Sequence, residues 1–314
     1  MVKESSIKED PTQNVEVKNG VLFFENNESF EKFTLFVLNA TDTELDRIDE
    51  KLGFISARKY GNAGYEAISN ISETGTEEEI ITIIGQYSDV LELKEAQNGE
   101  NEVVNKFDVH SGYTDINGVY AIDKSAYKLV GVYIIQTNIE NLSFLKTYEF
   151  TSMNNVPANL KIIRLNTNSD AKLKYGKCTT TDFEQDFYSK SGSYKLKISM
   201  KAFYGVDGGL LTSRSYYELQ SWKRTAYIWF LEKATMARDY AKYTVHTPGY
   251  WATDPAKYYD YNYGYYITPQ KENHIRNTVY SNSHYEPYSG LYITNFEVKG
   301  TTQYLEDRPV ASCQ

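Results

Sequence analysis

The run YKLKISMKAFY, Tyr194–Tyr204, alternates without interruption. Tyr194, Leu196, Ile198, Met200, Ala202 and Tyr204 fall on one side, and Lys195, Lys197, Ser199 and Lys201 on the other. Successive side chains of an extended chain point to opposite faces, so the run reads as a half-buried antiparallel strand with its apolar side on a core and its lysines toward water.

Other strand signals surround it. Lys161–Leu165, Ser215–Leu219, Thr225–Leu231 and Leu291–Val298 are short runs with strand character, and Gly208-Gly209 supplies a turn between two of them. Upstream, Asn117-Gly118 precedes VYAIDKSAYKLVGVYII, which reads as two or three strands around turns at Asp123-Lys124 and Gly131. Ala234–Val245 fits a helix or a strand. Strands at short intervals with long loops favour an antiparallel, sandwich-like unit over residues 106–314. No repeat of fixed period points to a propeller or solenoid.

Residues 15–105 have a different period. VEVKNGVLFF, Val15–Phe24, places Asn19-Gly20 between alternating apolar residues, a strong hairpin signal. Phe30, Phe33, Phe36 and Val37 then recur at helical spacing. Thr41-x-x-Glu44 is a capping box that opens a helix along Leu45, Ile48 and Leu52, and Gly53 stops it. A second box, Thr76-x-x-Glu79, opens a helix with Ile80, Ile83 and Ile84 inward, ending at Gly85. The polar stretch QNGENE, 97–102, marks a boundary near residue 105. Residues 1–14 read as a flexible tether, and the whole as an α+β protein with an acidic helical domain followed by a Tyr-rich β-sandwich-like domain.

Charge is unevenly spread. Residues 1–100 hold 9 Lys or Arg against 21 Asp or Glu, and the remainder 24 against 21, within a net charge of -9. Such a balance argues against nucleic acid, whose phosphates require a basic footprint, and a solvated acidic surface is the plain reading. No apolar run approaches the roughly 20 residues of a membrane-spanning helix. Cys178 and Cys313 lack the spacing of a zinc site; they could join in an oxidising compartment or be two unrelated thiols.

No catalytic or cofactor motif fixes a chemistry. Ser125-x-x-Lys128 matches a nucleophile motif but sits in a strand pattern without its companion motifs. His246, His274 and His284 with Asp254, Asp260 or Glu286 could form a metal or acid–base cluster, yet no His-x-x-x-His spacing is present. No metal, cofactor or catalytic residue is assigned.

Aromatic density carries the functional content. Of 29 tyrosines, seven crowd with Trp251 into PGYWATDPAKYYDYNYGYY. If Tyr259–Tyr265 is extended, Tyr259, Tyr261, Tyr263 and Tyr265 line one face while Asp260, Asn262 and Gly264 line the other. With Tyr250, Trp251, Tyr258 and Tyr266 they would form a stacking platform. Sugar C–H faces suit aromatic planes, with Asp and Asn for the hydroxyls, and Tyr and Trp are equally favoured anchors for a protein partner. The competing reading packs these rings as core between a long loop and the sheets.

Residues 19–56, NGVLFFENNESFEKFTLFVLNATDTELDRIDEKLGFIS, resemble the opening of many secreted lipoproteins of Bacteroides and relatives, and NGVYAIDKSAYKL, 117–129, resembles a second element of that group. The shared features are an Asn-Gly-x-Leu-x-Phe strand, a Phe-containing helix, a Thr-x-x-Glu start and a Gly-Phe-x-Ser ending. The resemblance implies a domain-of-unknown-function family, export to the outer membrane or cell surface, and a lipid anchor on a cysteine outside this numbering. It brings no catalytic residues. The expected function is a non-catalytic surface protein that binds glycan or protein through the Tyr/Trp cluster. The alternative is a structural or accessory protein of an envelope assembly with the tyrosines as core, and a hydrolase comes third.

Overall fold

Asn19 and Gly20 adopt φ of +53° and +71°, the two left-handed positions of a tight hairpin turn, and join β1 (Val15–Lys18) to β2 (Val21–Phe24). The computed structural model describes residues 10–71, 75–96, 98–164, 182–207, 210–247, 257–284 and 292–313. Four helices follow the hairpin: α1 (Asn27–Asn39), α2 (Asp42–Leu52), α3 (Ala57–Ser69) and α4 (Glu77–Gln86). Thr41 and Thr76 cap α2 and α4 with both halves of the box in place, and Gly53 closes α2 in the left-handed region.

Helix α3 has no counterpart in the sequence reading, because Gly61 and Gly64 lower its intrinsic helix preference. Those glycines let it approach the neighbouring chain. A Cβ on Gly61 would lie 2.8 Å from Asn105 Nδ2, and one on Gly64 2.6 Å from Leu91 Cδ1.

The remaining elements are β3 (Leu91–Glu95), β4 (Asn101–Asn105), β5 (Val119–Ile122), β6 (Ser125–Val130), β7 (Tyr133–Asn138), α5 (Leu142–Thr147), β8 (Lys161–Arg164), β9 (Asp182–Tyr188), β10 (Tyr194–Asp207), β11 (Leu210–Thr225), β12 (Ile228–Leu231), β13 (Met236–Thr247), β14 (Lys257–Tyr263), β15 (Tyr266–Ile267), β16 (His274–His284), β17 (Tyr292–Thr302) and β18 (Val310–Cys313). They form three sheets. The first runs β1-β2-β5-β6-β7-β8, the second β3-β4-β12-β11-β10-β9 with β16 also on β11, and the third β14-β13-β17-β18 with β15 also on β13. Pairing is antiparallel except β2 with β5 and β4 with β12. The protein is thus mostly β with five short α-helices among the described residues.

Two of the apolar cores set the frame for the regions discussed below. Phe24, Phe30, Phe33, Tyr113 and Tyr120 pack α1 onto the first sheet, with Phe30 stacked on Tyr120 at 5.2 Å between ring centroids. Leu196, Ile198 and Met200 of β10 meet Tyr243, Val245, Phe296 and Val298 of the third sheet in a core shared by the second and third sheets. The ambiguous stretch from Ala234 is strand β13.

Two expectations change. The boundary near residue 105 is crossed by both mixed sheets, since β2 pairs with β5 and β4 with β12; backbone edges inside the acidic third find their partners beyond it. The lysine face of β10 does not meet water either: Lys195, Lys197 and Ser199 are buried. Acids supplied by the chain around β4 and β9 cover that face and neutralise it. No helix among the described residues is long and apolar enough to cross a membrane.

Candidate functional site

Strand β14 lies along the edge of the third sheet, with Tyr261 opposite Tyr243 and Asp260 opposite Thr244. The chain breaks step at Gly264 and resumes as β15, where Tyr266 pairs with Arg238 and Ile267 with Ala237. Asp260 and Asn262 are exposed, and Thr244 Oγ1 donates to Asp260 Oδ1 at 2.8 Å. The alternation therefore forms, but its tyrosine side turns toward the second sheet. Tyr261 stacks on Tyr243 at 5.2 Å, and Tyr263 lies 6.0 Å from Tyr217 and 6.2 Å from Tyr243. Both rings are partly buried against the shared core.

An open face of four tyrosines is not what this geometry offers. Tyr265 is 62% exposed, Tyr266 36% and Ile267 48%, a consecutive run at the end of the segment. Tyr258 and Tyr259 lie in β14 with side chains outside those described, and Tyr250 and Trp251 lie outside the described residues altogether. Cys178 is also outside them, so its pairing with Cys313 at the end of β18 is not described.

Arg238 fixes the exposed run. Its side chain is buried, Nε donates to the Gly264 carbonyl at 3.0 Å, and Nη1 donates to Asn277 Oδ1 at 2.8 Å and to the Tyr217 hydroxyl. Its guanidinium sits 5.4 Å from the Tyr263 ring centre and 5.6 Å from that of Tyr266, within cation–π range. Burial, with Glu44 and Glu272 nearby, raises the Tyr266 hydroxyl above its ordinary pKa, so it stays a neutral donor. The result is a firm aromatic ledge with exposed Asp260 and Asn262 on the adjoining strand.

A second set of polar residues lies where the acidic third covers β10. Lys195 Nζ donates to Glu102 at 2.7 Å, Asp186 at 2.9 Å and Glu100 at 3.1 Å, while Lys197 Nζ reaches both oxygens of Glu102. Burial would depress the Lys195 pKa, but Asp186 and Glu102 overcompensate and hold it above its ordinary value. Glu100, Glu102 and Asp186 are close enough together to hold a cation, and the Lys195 ammonium takes that place.

Helix α2 is tied down in the same way. Glu272 accepts from the Asp42 backbone N–H at 3.0 Å and from Thr43 Oγ1 at 3.2 Å, which adds a distant carboxylate to the positive end of α2. Arg58 bridges Asp42, Asp46 and Asp49. Burial pushes the Asp49 carboxyl up to about 6, and burial beside Asp42 pushes Glu272 up to about 7. His274, largely buried, is held below its ordinary pKa by desolvation and by Arg276. The side chains of His246 and His284 are outside those described, as are Asp254 and Glu286 entirely. Lys128 of the Ser-x-x-Lys match donates to the carbonyls of Lys146 and Tyr148 from strand β6.

The sequence contained a signal for this buried network that the reading did not use. The acids of QNGENE, Glu100 and Glu102, and the alternating acids Glu184 and Asp186 of β9 complement the lysine stripe of β10, and complementary charge within one chain is consistent with their docking. Arg238, the residue that organises the ledge, carried no motif.

No protein-family model matches the chain, and no curated protein matches it. A solved structure, a DUF4848 family protein from Bacteroides thetaiotaomicron VPI-5482, is similar over 95% of this chain and 98% of its own at 13% identity and a TM-score of 0.33. At that score it bears on neither fold detail nor function.

Proposed function

We propose that the protein is a non-catalytic binding protein that contacts glycan or protein through the ledge of Tyr265 and Tyr266, with Asp260 and Asn262 as polar partners. The observation that carries this reading is the exposed run Tyr265-Tyr266-Ile267, which Arg238 anchors at the Gly264 carbonyl and the Tyr266 ring. Rigid, half-exposed tyrosines lose little freedom on binding and present an apolar face beside a hydroxyl. The non-catalytic part is supported by the shifted titratable groups Asp42, Asp49, Glu272 and Lys195, which each serve a structural contact. The setting we propose, by the likeness of residues 19–56 to secreted lipoproteins, is the outer membrane or cell surface, with a lipid anchor.

The test is a glycan array and a pull-down with the full chain and a Tyr265→Ala/Tyr266→Ala variant. Loss of at least about tenfold in affinity in the variant supports the ledge, since an interface anchor is worth over 1 kcal/mol. Equal binding by both forms, or silence on both assays, defeats it. The inward packing of Tyr261 and Tyr263 favours a second reading, a structural or accessory protein of an envelope assembly, and silence on both assays would leave that one standing.

A further inference from the structure

We propose that the hairpin between β11 and β12 carries a separate site for a saccharide bearing a carboxylate. Thr225 pairs with Ile228, leaving Ala226 and Tyr227 as a two-residue loop at φ +48° and +66°. Such loops ordinarily hold Asn-Gly, because a side chain in the left-handed region crowds the following carbonyl. A bulky residue there is a strained choice. Its result is exposure: Tyr227 is 85% exposed, the highest value among the large hydrophobics described.

The surroundings are organised around that ring. The Arg224 guanidinium lies 5.9 Å from the Tyr227 ring centre and 5.3 Å from that of buried Trp229, and the Arg224 backbone N–H donates to Ser193 O at 2.8 Å. Beside the loop is a concavity of about 480 Å³ lined by Gly75, Ser193, Tyr194, Lys223 and Arg224 together with the loop itself. Tyr194 is a firm wall, stacked on Tyr304 at 4.0 Å and 12°.

Charge decides the ligand class. The chain carries a net charge of -9, yet among the described residues this concavity is lined by two cations and no carboxylate. Among the described residues neither Lys223 nor Arg224 has an acidic partner within ion-pair distance. A guanidinium fork fits a planar carboxylate, and an open tyrosine face fits the C–H face of a pyranose. A simple anion would use the Arg224 guanidinium and leave the ring idle; a neutral sugar would do the reverse. A uronic-acid saccharide uses both.

Titration calorimetry of the full chain with trigalacturonate, with maltotriose and sodium sulfate as comparison probes, tests this. Trigalacturonate should bind at least about tenfold more tightly than either comparison probe. Tyr227→Ala and Arg224→Gln should each cost about tenfold or more, as expected for loss of a stacking or charge-assisted contact. An Ala226→Asn/Tyr227→Gly variant should unfold at a higher temperature than the wild type while losing the ligand, which separates loss of the site from loss of the fold. No heat with trigalacturonate, sulfate binding as strong as trigalacturonate, or affinity untouched by Tyr227→Ala overturns the proposal. A loss produced by Tyr265→Ala instead would move the ligand to the ledge on the third sheet and overturn it equally.

Discussion

Strands β10 and β14 alternate alike and end differently. From Lys195 to Met200 both faces of β10 are buried, the apolar one against the third sheet and the lysine one beneath Glu100, Glu102 and Asp186. In β14 the aromatic side turns inward onto Tyr243 and Tyr217 while Asp260 and Asn262 face water. Alternation fixes which residues share a face; what covers each face is decided by chain far away in sequence. Lysines can be interior where acids arrive to meet them, and tyrosines next to a concentrated polar stretch need not be a surface.

The largest effect that probes this contrast is Lys195→Ala. It leaves Glu100 and Asp186 without their ammonium and Glu102 with Lys197 alone, and about 3 to 5 kcal/mol of stability should be lost in denaturant unfolding, the range for stripping one partner from a buried ionic group. A cost under about 0.5 kcal/mol, typical of surface sites, would return that face to solvent. On the opposite face, Ile198→Ala should cost about 2 to 5 kcal/mol through the cavity it opens. Similar values for the two would establish that β10 has no outer side.

The pH dependence is next in size. Glu272 rises from its ordinary 4.5 to about 7 and Asp49 from 3.8 to about 6, so the fold favours their protonated forms. Their contribution is fully present below the ordinary values and is lost as pH rises through about 6 and 7. These two carboxyls therefore tilt stability downward with rising pH across that window, while His274, held neutral by burial, tilts it upward below its ordinary 6.5. Glu272→Gln should flatten the upper part of the slope, leaving the lower part to Asp49; an unchanged slope would remove Glu272 from the account. Thr41→Ala, which removes the near cap of the same helix, should cost about 1 kcal/mol at all pH values. Smallest of all, Asp260→Ala on the exposed side of β14 should stay within about 0.5 kcal/mol, and a larger loss would mean that side is covered.

Local chemistry made much of the fold legible. The Asn19-Gly20 turn, the caps at Thr41 and Thr76, the three strands β5 to β7 and the alternation of β10 each follow from residues within a few positions of one another. What escaped depended on remote partners. Gly61 and Gly64 look like helix breakers until Asn105 and Leu91 are brought against them. Lys195 looks solvated until Glu102 and Asp186 arrive. The tyrosine segment reads as aromatic and, only if extended, as alternating; Arg238, 26 residues before Gly264, decides which rings stand out. Nothing in the spacing of the sequence announces that pairing.

The parallel pairing of β4 with β12 has a consequence for the order of assembly. Sheet edges that close only against chain more than a hundred residues downstream pay a large loop-closure cost before any contact repays it, so such folds form slowly and as a whole. During synthesis the segment ending at Asn105 must wait for Ile228–Leu231 to emerge, with Glu102 and Lys195 unpaired until then. A fragment cut near residue 105 should therefore form at most its local β1–β2 and β3–β4 pairs and neither mixed sheet, and the intact chain should unfold in one transition.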